Sequence, residues 1–480
     1  MSQSATETTT EAPPAGRLNT FFEISKRGSS WWQEVRGGLV TFVTMAYIIV
    51  LNPIILSGSP DVDHHKLQFT AVAAVTALTA GVMTILFGLI ARLPFAFAAG
   101  LGINSFLAVS VVGQVTWPEA MGLVVIDGVI IVILSATGLR RLIFDAVPYS
   151  LKIAITVGIG LFIAFIGLVD AGFVTTTKLS SPPIGLGLAG SIGTIPTVVF
   201  VLTLLITGVL VARKIKGAIL IGLVSGTILA VVAQLIWHLG AQPKDASGWN
   251  LNIPEITNWV SLPDFSLVGQ VSFDFSKLGA LTAIMLIFTL VFSNFFDAMG
   301  TMTGLSKEAG LANDDGTFPR LRSALIVEGV GAVAGGLTSS SSNTVFIESG
   351  AGIGEGARTG FSNVVTGGLF LLAMFFTPIA QIVPSEVAAA ALVIVGALMM
   401  SQIRSIDLSD FSVLLPVFMT VIVMPLTYSI ANGIGAGFIT WVIVQAFSGK
   451  VRSISPLLWV VAAGFAIYFA RGPIESLFPH

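Results

Sequence analysis

The chain has no cysteine among its 480 residues. That excludes disulfides, thiolate nucleophiles and cysteine-ligated metals. Charge is scarce too, at 10% of residues. A soluble globular chain carries about 25%, so the missing polar surface must be replaced by surface that faces lipid. Only four histidines occur, His64, His65, His238 and His480. All fall at or beyond the ends of apolar runs, so proton transfer at membrane depth would rest on carboxylates. The first 20 residues lack the apolar core of a signal peptide and read as a disordered cytoplasmic arm. A net charge of −2 argues against a nucleic-acid partner.

What is abundant is apolar sequence, with mean hydropathy +0.92 and 51 glycines. A bilayer-spanning helix needs about 20 apolar residues. Twelve runs meet or approach this, at 37–57, 69–91, 119–138, 151–169, 194–212, 217–237, 279–300, 322–337, 361–383, 386–403, 411–428 and 431–447. Two more, 94–112 and 343–356, are apolar but broken by Gly, Ser and Asn. In chain order these are segments 1–14, with segments 3 and 10 the broken ones. A further run, 455–471, could cross as a fifteenth, lie on the membrane or pack along the bundle.

Cytoplasmic loops collect Lys and Arg. With the N-terminus inside, alternate loops hold Lys26, Arg27 and Arg36, then Arg92, Arg140 and Arg141. Arg213, Lys214, Lys216, Lys307, Arg320, Arg322, Arg358, Arg404, Lys450 and Arg452 continue the series. The opposite loops hold little beyond Lys66, Lys178, Lys244 and Lys277. The alternation requires both broken segments to cross. It describes a multi-pass protein of the cell (inner, cytoplasmic) membrane with a cytoplasmic N-terminus.

The halves resemble each other weakly. Val147-Pro148 and Val383-Pro384 both lead into small-residue-rich helices, and Lys216-Gly217 reads against Asn432-Gly433. Each half places its broken segment third of seven. Seven is odd, so the second copy enters from the other side. That is an inverted repeat, an architecture that sets the substrate site at discontinuous helices near the midplane. The expected layout is residues 21–240, an outer loop 241–277, residues 278–450 and a C-terminal apolar stretch 451–480.

The broken segments, PFAFAAGLGINSFLAV and GGLTSSSSNTVFIESGAGIGEGARTG, are poor lipid-facing helices, because Gly and Ser weaken helices and Ser and Asn compete for backbone bonds. Non-helical backbone at this depth survives only where buried or lining a cavity. An extended stretch followed by a half-helix is expected in each, presenting free N–H groups at the midplane. Ionisable residues within spans are functional candidates. Asp297 and Glu348 lead, with Asn104 in the first broken segment and Asn294 three residues before Asp297. Ser293, Thr344, Asp127 and Glu328 are secondary candidates, and helix-tying carboxyl groups are the plain alternative for Asp127 and Glu328. No Lys or Arg sits at mid-depth near the broken segments. A neutral ligand with N–H donors and ring acceptors therefore suits the site better than an anion.

Five motifs carry a family resemblance: TFVTMAYIIVLNP (41–53), GLGINSF (100–106), FFDAMGT (295–301), FIESGAGIGEGARTG (346–360) and PLTYSIANGIGAGFITW (425–441). Together they make the chain resemble the AzgA-like purine permeases of the nucleobase/ascorbate (xanthine/uracil permease) transporter superfamily, over about Phe21 to Arg471. The resemblance implies an all-α membrane protein of fourteen helices in two inverted repeats of seven. Helices 1–4 and 8–11 would form a core domain and helices 5–7 and 12–14 a gate domain. Helices 3 and 10 would each contain a short strand. It implies proton-coupled uptake of adenine, guanine and hypoxanthine without a cofactor or metal, and is compatible with a homodimer. By position, Asn104, Asn294 and Glu348 would surround the base, and Asp297 would serve translocation or proton coupling. Two departures stand out: Asn294 replaces a usual carboxylate, and Asp127 stands where a small polar residue is expected. The rivals are an anion transporter or channel of the same architecture, a xanthine/uracil permease and a membrane-embedded enzyme.

Overall fold

The computed structural model describes residues 17–139, 146–177, 182–187, 190–242, 247–255, 258–276, 278–313 and 317–470. Most of the N-terminal arm, Arg140, Arg141, Lys178, Lys244, Lys277 and the last ten residues lie outside them. Among the described residues ten helices are long and apolar enough to cross a bilayer, and three shorter apolar helices accompany them. Lipid-facing surface is plain on segments 6 and 7, where Leu205, Val209, Val224, Ile228 and Leu235 are exposed.

Segment 1 runs Trp31–Met45 and, after a two-residue break, Ile48–Gly58. It begins a turn or more before the apolar run, because Glu34 is buried by a tertiary role. The Glu34 carboxylate accepts from the Arg358, Thr359 and Ser362 amides and so caps segment 11, Phe361–Ala373. Segment 8, Ala280–Glu308, continues two turns past the expected end. The other long helices match the apolar runs closely: Phe69–Ile90, Trp117–Thr137, Tyr149–Asp170, Ile195–Ala212 and Ala218–Trp237 in the first half. Leu321–Leu337, Ser385–Met400, Phe411–Leu426 and Ile430–Phe447 follow in the second.

Both broken segments are a strand followed by a short helix. Segment 3 is β1, Phe97–Ala99, then Leu101–Phe106 and a wider π-type turn to Val111. In chain order β2 (Val174–Thr176) and β3 (Ile184–Leu186) come next, as a small antiparallel pair after segment 5. Segment 10 is β4, Asn343–Val345, then Ser349–Gly354. β1 and β4 pair antiparallel, with Ala98 opposite Thr344. Gly100 N–H donates to Ser342 O at 2.9 Å and Phe346 N–H to Ala96 O at 3.0 Å, extending the ladder. Side chains complete it. Thr84 Oγ1 accepts from Phe97 N–H and donates to Phe97 O, and Asn363 Nδ2 donates to Leu93 O and Phe95 O. Buried strand edges must be paired in this way because no water reaches them.

Segment 4 packs along segment 9, segment 2 along segment 11, and segment 1 against segments 10 and 11. Segments 5–7 pack with segments 12–14. Close approach depends on glycine at the segment 5–12 crossing: a Cβ on Gly160 would stand 2.8 Å from the Gly396 carbonyl. Pro148 and Pro384 both stand at the N-caps of these two helices. The C-terminal run forms a helix, Pro456–Phe469, too short to span. It packs along segments 8 and 14 through Phe465, whose ring meets Phe288 and Phe438.

Loops of one charge class share one face. Arg27 donates to the Arg92 and Arg358 carbonyls and Arg320 to the Ile90 carbonyl. Glu355 bridges Arg36 (2.8 Å) and Lys216. On the opposite face Asp61 accepts from Trp117 N–H, and Ser272 N–H donates to Pro118 O.

Candidate functional site

Where β1 and β4 give way to their half-helices, a cavity of about 140 Å³ opens against segments 5, 8 and 12. A cavity near ~150 Å³ takes up benzene, so this one is on the scale of a planar ring system. Its apolar wall includes Ile159, Ile163, Val395 and Leu398. The polar groups are Tyr47, Ser293, Asp297, Thr344 and Glu348, with Thr156, Thr301 and Gln402 farther out. Thr156, Thr301 and Gln402 lie on the parts of segments 5, 8 and 12 nearer the basic face.

Each side chain is placed by a break in regular structure. Glu348 is the N-cap residue of Ser349–Gly354. Tyr47 stands in the interruption of segment 1, nearly fully buried, and donates its hydroxyl to Glu348 Oε1 at 2.5 Å. Thr44 Oγ1 reaches the Glu348 carbonyl at 3.4 Å. Arg358 Nη1 donates to Ile353 O at 2.6 Å, closing the far end of the half-helix with a cation where the helix dipole favours one. Thr344 Oγ1 and Ser293 Oγ, both buried, have no protein partner. No Lys, Arg or His is among the residues lining the cavity.

Ser293, Asp297, Thr344 and Glu348 are thus brought together. Asn104 and Asn294 are not among the lining residues; they lie behind the wall, fully buried. Asn104 Nδ2 donates to Asn52 Oδ1 at 2.6 Å, and Asn52 Nδ2 to Thr76 Oγ1 and Ser340 O. Asn294 Nδ2 donates to Ser342 Oγ at 2.8 Å and to Asp127 Oδ2 at 3.1 Å. Glu328 is fully buried on segment 9 and is not part of the cavity. The serine run makes two tight reversals, with Ser339 and Ser341 at positive φ. Tyr47 and Asn52 were missed as individual residues. Their signal was a polar group in an otherwise apolar run within TFVTMAYIIVLNP.

A membrane bundle whose two broken segments meet as paired strands, with half-helices turned toward a small cavity, defines a transporter architecture. Among solved structures the transmembrane domain of a cyanobacterial bicarbonate transporter, BicA, shares it. The TM-score is 0.62 at 17% identity, covering 83% of this chain and 96% of that one. That likeness concerns the fold alone. Residues 32–436 match the Permease family, and the chain belongs to it. It is 37% identical to the guanine/hypoxanthine permease PbuG of Bacillus subtilis, over 94% of this chain and 99% of that protein. It is 34% identical to the adenine permease AdeQ of Escherichia coli, over 94% and 96%. The protein is therefore a multi-pass membrane transporter of small molecules and not an enzyme.

Proposed function

We propose that this protein imports purine nucleobases (adenine, guanine, hypoxanthine) across the cell membrane by proton symport. One observation carries the reading. Two carboxylates, Glu348 and Asp297, line an otherwise largely apolar cavity of ring-system size that no basic side chain lines. A purine offers N–H donors to carboxylate oxygens and ring acceptors to hydroxyls. Glu348, held by Tyr47 at one oxygen, accepts from the base with the other. Thr344 and Ser293 hydroxyls serve its acceptors. Asp297, one helical turn from Ser293 on segment 8, carries the coupled proton. The purine permeases among the relatives point the same way.

The packing of segments 1–4 with 8–11, and of 5–7 with 12–14, supports a core that moves against a gate. On this reading the fourteen segments form two inverted repeats and the cavity faces the cytoplasm. The shared basic face, with N-terminal residues among its partners, supports a cytoplasmic N-terminus.

The test is uptake of labelled hypoxanthine, adenine, guanine, xanthine and uracil in cells lacking their own nucleobase permeases, with and without a protonophore. Saturable purine uptake abolished by the protonophore is expected. Uptake of xanthine or uracil alone would change the substrate. No uptake of any base, with the protein present in the membrane, would refute the reading.

A further inference from the structure

We propose that Asp127 is a second proton-binding group of the transport cycle, set behind the cavity, whose proton state is read through the Asn294 amide. The proposal rests on the proton-coupled reading above.

Asp127 lies midway along segment 4 and is fully buried. A carboxyl group at that depth is expensive and needs a reason. Tying two helices together does not supply one, since a neutral pair does so at lower cost. The geometry around Asn294 does. Its amide nitrogen sits between Asp127 Oδ2 at 3.1 Å and Ser342 Oγ at 2.8 Å. Its carbonyl oxygen, equally buried, has no partner. An ionised Asp127, which can only accept, fits this arrangement. A protonated Asp127 gains a donor. The idle Asn294 oxygen becomes its natural acceptor once the amide turns over. That rotation replaces the N–H facing Ser342 by the amide oxygen, so the Ser342 hydroxyl must turn from acceptor to donor, and the proton state of segment 4 sets the polarity of the bond between segment 8 and the serine run of segment 10.

The consequence reaches the cavity in one or two residues. Ser293 beside Asn294, and Thr344 two residues after Ser342, both line it. The Ser342 carbonyl also holds Gly100 at the end of β1. The amide nitrogen occupies the space between the acceptor oxygens, which leaves no room there for a metal cation and favours H⁺ over Na⁺.

The charged and titratable groups on the elements packed against segment 4 are Glu328 and Arg322 on segment 9, Asp297, Lys307 and Glu308 on segment 8, Asp274 in the loop before it, and Asp61, bonded to Trp117 N–H at the start of segment 4. Segment 4 adds its own Glu119. Of the basic groups, Arg322 bonds to Ala136 O near the far end of segment 4, and Lys307 stands in the last turn of segment 8.

The experiment uses the purified full-length protein. Infrared difference spectra of wild type against Asp127→Asn, taken across pH without any base, should show a carboxylic-acid C=O band that titrates and is missing from the variant. In proteoliposomes, Asp127→Asn should keep base exchange while the accumulation ratio falls by about tenfold per pH unit of gradient, the value of one coupled proton. A variant that accumulates base like wild type, or a wild type with no such band, overturns the proposal. So does Na⁺-dependent accumulation that Asp127→Asn abolishes. If Asp127→Asn alone does not fold, the swapped pair Asp127→Asn/Asn294→Asp keeps one carboxyl and one amide and must show the titrating band. Its absence there also overturns the proposal. Failure of purine transport in wild type would sink the substrate reading and leave the infrared result standing by itself.

Discussion

Removing one oxygen atom tests the candidate site sharply. Tyr47→Phe keeps the ring, which is 1% exposed, and so creates no cavity and no new polar group. It deletes the 2.5 Å hydrogen bond to Glu348 Oε1. A hydrogen bond to a charged acceptor contributes about 1.5–3 kcal/mol. At a factor of ten per 1.4 kcal/mol this is roughly a 10- to 150-fold effect, provided the bond orients Glu348 for the base. The expected outcome is a rise of that order in KM for the preferred purine, with unchanged protein in the membrane. A double-mutant cycle makes the assignment specific. In a Glu348→Gln background, with residual binding read by ligand-dependent thermal shift, the tyrosine change should cost far less, because the two residues act as one unit. An unaltered KM in Tyr47→Phe, or losses that simply add, would refute the argument that Tyr47 positions the carboxylate.

Glu348→Gln should abolish uptake with expression intact, and normal uptake by that variant would remove Glu348 from the site. Asp297→Asn should impair proton-driven accumulation more than base binding, whereas equal loss of both would assign Asp297 to the base itself. Asn294→Asp would set a second carboxylate about 3 Å from Asp127. At an effective dielectric constant near 20 their repulsion is about 5 kcal/mol, so the pair would hold one charge at most. Uptake at neutral pH should fall with the purine ranking unchanged, and adding Asp127→Asn should restore it. A changed ranking would place residue 294 against the base.

Much of this was legible in advance because a bilayer imposes simple length rules. Apolar runs gave most of the spans to within a few residues, but missed the early start of segment 1 and the last two turns of segment 8. The glycines, serines and asparagines of the broken segments announced an extended stretch followed by a half-helix, and the family resemblance implied the short strands that β1 and β4 form. What stayed hidden depends on rotation about a helix axis. Asn294 and Ser293 stand three and four residues before Asp297, and either could share its face. The structure turns Ser293 into the cavity and Asn294 away from it. Tyr47 was invisible for another reason: its partner is 301 residues distant, and no local pattern marks such a bond. The burial of Glu34 follows the same rule, since its acceptor role depends on amides of segment 11.

The pairing of β1 with β4 also sets a timetable for making the protein. Ala99 finds its partner in Asn343, 343 − 99 = 244 residues later in the chain. At about 5–20 residues per second of synthesis, the first strand waits roughly 12–50 s before its partner leaves the ribosome. Through that interval segments 1, 2 and 4 must shelter three residues of unpaired backbone that lipid cannot solvate. Thr84, already present on segment 2, bonds both the N–H and the carbonyl of Phe97. Among the described residues it is the one first-half side chain that hydrogen-bonds the strand backbone in the folded protein. Weakening that hold should expose the protein to membrane quality control during its birth, even where the finished transporter would tolerate the change.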